Sequence, residues 1–176
     1  MIHALIDLET LSTNPDAVIL TVGGVKFDPY TSMKPYDELY FRVDVDSQTE
    51  KGRHVMQDTL DWWGKQPTEI MEEALGEHDR ITLDQMVAKI NKFSVGVDVF
   101  WCQGPLFDYA ILQNIYAQLG HPVPWQYWQI RDSRTLFSLV PRDREKRQGL
   151  HNALEDCKFQ AQKVQKVYRQ LNIRND

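Results

Sequence analysis

Cysteine is scarce in this chain. The two residues, Cys102 and Cys157, form no C-x-x-C pair, so neither a zinc-site spacing nor a disulfide framework is present. Buried free thiols are the simple reading. No apolar run approaches the about 20 residues needed to span a bilayer. The apolar start Met1-Ile-His-Ala-Leu-Ile is interrupted at once by Asp7 and Glu9, which does not suit a signal peptide. A soluble, cytoplasmic protein with no membrane association is the expectation. Positive charge is also in deficit: 20 Lys and Arg against 25 Asp and Glu leave a net −5. That argues against gripping a polyanion by bulk electrostatics, although clustered carboxylates would attract divalent cations. Hydrophobic residues at 42% exclude a disordered chain, and 176 residues suit one domain, 1–176.

The pattern predicts strands over Ile2–Glu9, Ala17–Phe27 and Glu38–Val45, a meander before any long helix, with a bulge or close backbone approach at Gly23 and Gly24. The polar stretch Ser47–His54 reads as loop. Thr59 and Thr68 are candidate caps of short helices, and Thr82 opens a stronger one, with Leu83, Met86, Val87, Ile90 and Phe93 at helical spacing. A fourth strand over Val97–Cys102 leads into an apolar helix from about Leu106 to Leu119, closed by Gly120. Pro141–Gly149 is charged and loop-like. The last helix carries Leu150, Leu154, Cys157, Ala161, Val164, Tyr168 and Leu171 on one face. Together these describe one α/β domain.

Three short segments could carry chemistry. In a strand, Asp7 and Glu9 project to the same side. Such a pair is either a solvated strand edge or a site for a hard cation that offsets the repulsion. Asp108 follows a strand and a Gly-Pro turn at the start of a helix; it is either a first-turn acid favoured by the helix dipole or a member of a site at a strand-to-helix transition. His151 and Asp156 enter the final helix, with Asp156 beside the apolar stripe and Ala153 small enough for close approach. Four carboxylates and one histidine at the ends of regular elements are equipment for metal-assisted phosphodiester hydrolysis.

Asp7-x-Glu9-Thr10, Phe107-Asp108 and His151-x-Ala153-x-x-Asp156 resemble the three motifs of the DEDDh (DnaQ-like) 3′–5′ exonucleases. Lys51-Gly-Arg-His, the Thr59–Gln66 stretch with its Trp-Trp pair, and Arg131-Asp132 are similar to the small phage DexA-type enzymes and related bacterial 3′–5′ exoribonucleases. The resemblance implies an RNase H-like fold, a mixed five-stranded sheet flanked by helices, whose fifth strand falls near Trp128–Ile130. It implies two ions of Mg²⁺ or Mn²⁺ held by Asp7, Glu9, Asp108 and Asp156, with His151 as general base. It also implies action at the 3′ ends of single-stranded DNA or RNA, releasing nucleoside 5′-monophosphates. A homodimer is compatible with it. The alternative is a non-catalytic or polymerase-associated nucleic-acid-binding module.

Substrate contacts expected on the same basis are Thr10 at the terminal 3′-OH, Leu11 as a wedge against the last base, and Phe107 beside Asp108. One tryptophan of the Trp62–Trp63 pair, taken as Trp63, would stack on a base. Arg131 opens a run to Arg147 with six basic and three acidic residues, either a solvated loop or a phosphate guide.

Overall fold

A computed structural model describes residues 1–141 and 151–175. The antiparallel meander is β1 (His3–Thr10), β2 (Ile19–Phe27) and β3 (Tyr36–Val43). A short helix α1 (Asp46–Glu50) follows, then α2 (Gln57–Trp63), α3 (Thr68–Leu75) and the two-residue strand β4 (Arg80–Ile81). The second half runs α4 (Leu83–Ser94), β5 (Val99–Cys102), α5 (Asp108–Gln118), β6 (Ile130–Asp132), α6 (Ser133–Phe137) and α7 (Ala153–Gln170). The sheet order is β4-β3-β2-β1-β5-β6, with β5 parallel to β1 and β6 parallel to β5. The five expected strands are present, and β4 adds a sixth at the edge, parallel to β3. Among the described residues, no helix is long and apolar enough to cross a membrane.

Alternation along β1 divides the core. Ala4, Ile6 and Leu8 face α4 and α5, packing with Met86, Ile90, Ile111 and Ile115. Leu5 faces the other way, with Val25, Phe27 and Trp101 against Cys157, Ala161 and Val164 of α7. Both cysteines are buried free thiols. Thr82 caps α4 through a capping box with Gln85, as its position foretold.

Several boundaries differ from expectation. Ser47–His54 is not all loop, because buried Gln48 replaces a strand neighbour. Its side-chain amide donates to the carbonyls of Ile19 and Asp44 at 2.8 Å, and its carbonyl accepts from the Ile19 N–H at 2.8 Å. Met56, not Thr59, caps α2, and Pro67 stands at the cap of α3, so neither expected hydroxyl caps. Helix α5 starts at Asp108 and leaves Leu106 93% exposed. The expected loop at 142–149 and Leu150 lie outside the described residues.

Candidate active site

The site is assembled at the end of β1. Asp7 pairs with Gly23 across the β1–β2 ladder, and Glu9 with Thr21. A Cβ on Gly23 would lie 2.3 Å from the carbonyl carbon of Ala153 and 2.5 Å from the backbone nitrogen of Leu154. A hydrogen atom at this one position therefore lets the first turn of α7 rest on the sheet beside Asp7. The expected close approach lies here, with Ala153 as the opposing small residue.

Each remaining acid is delivered by a helix start. Asp108, buried at the first position of α5, accepts the Leu8 N–H at 3.1 Å, tying that helix to β1. Asn152 caps α7, its side-chain oxygen accepting from Leu154 and Glu155 N–H groups at 3.1 Å each. Asp156 then falls in the first turn, buried, with Gln160 four residues on and so on the same helix face. The Gln160 amide donates to Asp7 Oδ1 at 3.3 Å. His151 takes φ +70°, a left-handed backbone unusual for histidine, and its ring meets Trp62 edge-to-face at 4.6 Å. Ligand atoms of Glu9, His151 and Asp156 all lie within 4.8 Å of one another.

This crowding changes the acids. Burial first, then Asp108, Glu9 and Asp156, hold the Asp7 carboxyl well above the ordinary range, with Gln160 opposing. Asp108 is pushed up to about 7 by burial, against hydrogen bonds from the Leu8 N–H and its own N–H, the Cys102 thiol and the Arg134 charge. Two buried carboxyls that resist ionisation among further acids are a poor arrangement for stability by itself. A hard, oxygen-seeking divalent cation offsets that cost, and the donor set of carboxylates and one imidazole fits it.

Beside the acids lies a cleft of about 410 Å³, lined among others by Glu9, Thr10, Thr13, Thr59, Trp62 and Phe107. Trp62 is 38% exposed there. The mouth thus places an aromatic face next to carboxylates, an arrangement able to hold a planar base with its phosphate towards the acids.

The same arrangement of the sheet has counterparts among known proteins. The family described as the Rv2179c-like 3′-5′ exoribonuclease domain matches residues 2–168. This chain belongs to that family. A comparison with curated proteins gives no significant match. Among solved structures, exonuclease I, in a structure said to suggest how processivity is achieved, superposes with a TM-score of 0.70 at 14% identity, over 96% of this chain and 41% of that one. The zinc-bound form of the E. coli exonuclease I complex with single-stranded DNA gives 0.70 at 12% identity, over 96% and 40%. The Methylocaldum szegediense exonuclease I gives 0.65 at 15% identity, over 96% and 40%. These likenesses show the fold, which is RNase H-like, and the chain spans about two fifths of the length of those structures.

Of the site residues expected from the sequence, the structure brings Asp7, Glu9, Asp108, His151 and Asp156 to one end of the sheet, with Thr10 and Phe107 at the cleft. The Thr10 hydroxyl donates to the Ser12 carbonyl at 2.6 Å and the Thr10 carbonyl accepts the Trp63 indole N–H at 2.9 Å, which leaves the lone pairs of the hydroxyl oxygen as the acceptor at the cleft wall. Three assignments need correction. Leu11 is not a wedge: the bulge between Glu9 and Thr10 turns it into the core with Val18, Leu20 and Trp63, 5% exposed. Trp63 is not the stacking residue: it is 1% exposed, and its indole N–H donates to the Thr10 carbonyl at 2.9 Å. The two indoles of helix α2 meet edge-to-face at 4.9 Å, with Trp63 on the core side and Trp62 at the surface, so Trp62 is the one a ligand can reach. Arg131 is held by the carbonyls of Trp128 and Ile130 at 2.6 and 3.0 Å, in register with Trp101 rather than beside the acids. The guanidinium near Asp108 belongs to Arg134. Sequence reasoning also missed Gln160 and Asn152. A polar residue interrupting the apolar stripe one turn beyond Asp156, and an Asn just ahead of the helix, were the available signals. The basic positions 142–147 lie outside the described residues.

Proposed function

We propose that this chain hydrolyses phosphodiester bonds from the 3′ end of single-stranded nucleic acid, releasing nucleoside 5′-monophosphates. The observation that carries the reading is the convergence of four carboxylates and His151 on one end of the sheet, next to a cleft with an exposed indole. The family description supports 3′–5′ directionality and favours RNA as the substrate.

Asp7, Glu9, Asp108 and Asp156 are the residues that would hold two divalent ions, Mg²⁺ or Mn²⁺. The chemistry such ions supply when bound is neutralisation of charge developing at the scissile phosphate. The protein's own groups do the rest. Trp62 and Phe107 bind and orient the terminal base at the cleft. Thr10 stands at the cleft wall, where its hydroxyl oxygen accepts from the terminal sugar while donating to the Ser12 carbonyl. His151 accepts a proton from the attacking water as its oxygen bonds to phosphorus and the bond from phosphorus to the 3′ oxygen of the preceding nucleotide breaks. That oxygen takes a proton from solvent. Trp62 packs edge-to-face with the His151 ring, which fixes the imidazole, and the exposed part of the indole is left to stack on the base. Gln160 orients Asp7, and Asn152 fixes the backbone from which His151 projects.

The test uses matched 3′- and 5′-labelled single-stranded RNA and DNA oligonucleotides, with Mg²⁺, Mn²⁺ or EDTA, beside Asp7→Ala. Metal-dependent loss of the 3′ label as mononucleotide, faster on RNA and absent in the variant, is the expected result. Loss of the 5′ label first, or equal rates for the variant, contradicts it.

A further inference from the structure

A second cavity, of about 660 Å³, runs between α6 and α7. Its lining includes Gln103, Arg134, Phe137, Lys163, Lys166 and Gln170, and no carboxylate occurs among the described residues lining it. In a chain of net −5, such a basic groove is a departure from the average surface.

One end of the groove adjoins the acids. Arg134 donates to the Gln103 carbonyl at 3.1 Å, and its Nη2 lies 3.9 Å from where a Cβ on Gly104 would stand. Gln103 and Gly104 form the turn that leads into Asp108, whose N-terminal flank is closed by a hydrogen bond from Phe107 N–H to the Gly104 carbonyl at 2.9 Å. From there the groove follows α7 away from the site. Lys163 is ten residues beyond Ala153 and Gln170 seventeen, about 15 and 26 Å along a helix. Lys163 holds its ammonium 4.3 Å from the Phe137 ring centre, a cation and an aromatic face presented together. Cations spaced along a groove, with an aromatic surface between them, are the elements of a sequence-tolerant track for a single strand.

We propose that the α6–α7 groove binds the phosphodiester backbone of the strand several nucleotides to the 5′ side of the scissile bond. This rests on the exonuclease reading, which puts the terminal nucleotide in the Trp62 cleft and leaves the body of the strand to exit past Arg134. The consequence is length dependence. A dinucleotide occupies only the cleft, whereas a ten-nucleotide strand also fills the groove.

The experiment measures binding by fluorescence anisotropy in EDTA, where hydrolysis is suppressed, using labelled single-stranded RNA of two and ten nucleotides. For Lys163→Glu, ten-mer affinity falls about tenfold while dinucleotide affinity changes less than twofold. The ten-mer's dependence on salt also becomes shallower, by about 0.7 in log–log slope for each phosphate no longer neutralised by the protein. Gln170→Arg, at an exposed position near the far end, tightens the ten-mer only. Equal effects on both lengths, or none on either, overturn the proposal. Because binding is read without turnover, an inactive protein whose ten-mer affinity still falls with Lys163→Glu supports the groove and sinks the hydrolase. An active protein whose affinity ignores length overturns the groove alone.

Discussion

Asp7 and Gly23 face each other across the β1–β2 ladder, and Gly23 is the point where the first turn of α7 touches the sheet. The glycine sets the distance between the β1 acids and the pair His151 and Asp156. A methyl group there would meet backbone atoms of Ala153 and Leu154 at 2.3–2.5 Å, and backbone cannot yield as a side chain can.

Gly23→Ala should therefore destabilise the fold by about 1–3 kcal/mol, as overpacking does. It should also reduce kcat by about 100-fold, the cost of a small misplacement of catalytic groups. Thermal melts and steady-state rates on one preparation check both. Wild-type kcat in a correctly folded Gly23→Ala protein would refute this role.

The neighbouring tryptophans should separate cleanly. Trp63→Ala removes a fully buried indole and its hydrogen bond to Thr10, and should cost about 3–5 kcal/mol of stability by urea titration. Trp62→Ala should leave the urea midpoint near wild type and raise KM, losing about 1–3 kcal/mol of base stacking. The reverse pattern would reinstate Trp63 as the stacking residue.

Much of this was legible in the sequence because it depends on short-range periodicity. The two-residue alternation of β1 correctly puts Asp7 and Glu9 on one side, and the three-four spacing of α7 leaves Asp156 at the edge of the buried stripe. What could not be read depends on the third dimension. Leu11 changes role because of a bulge, and bulges carry no mark beyond the register they break. Adjacent Trp62 and Trp63 are identical in type, so only the direction of α2 decides which one the core takes. Arg131 and Arg134 are both basic residues ahead of His151, and the one-strand step from β6 into α6 decides which of them approaches Asp108.

The Lys51-Gly-Arg-His motif has a structural explanation. Arg53 is 5% exposed and donates to the carbonyls of Ala17 and Pro15 and to the side chains of Asn114 and Gln118. Burial lowers its pKa to about 10, so it remains charged at neutral pH. Arg53→Lys keeps the charge but cannot span these acceptors, and each one left unpaired should cost about 1–3 kcal/mol. A melting temperature unchanged by this substitution would contradict the assignment.

Asp108 gives the site a pH signature. With its folded pKa near 7, above the ordinary value of 3.8, the folded state holds a proton that the unfolded state releases between those values. Its contribution is thus fully present below about pH 4 and is lost as pH rises through 7. In EDTA, Asp108→Asn should melt higher than wild type at pH 8, with the difference closing towards pH 4. Mn²⁺ should raise the melting temperature of wild type at pH 8 by more than that of the variant. A variant less stable than wild type at pH 8 in EDTA would show that the charge at this position carries no such cost.

A crystal grown with Mn²⁺ and a nucleoside 5′-monophosphate, measured for anomalous scattering, probes the two-ion centre without relying on rates. Two anomalous peaks are expected among Asp7, Glu9, Asp108 and Asp156, with the base against Trp62 and the phosphate towards His151. Absence of any peak among these carboxylates, under conditions where the protein degrades RNA, would contradict a metal-dependent site at this end of the sheet.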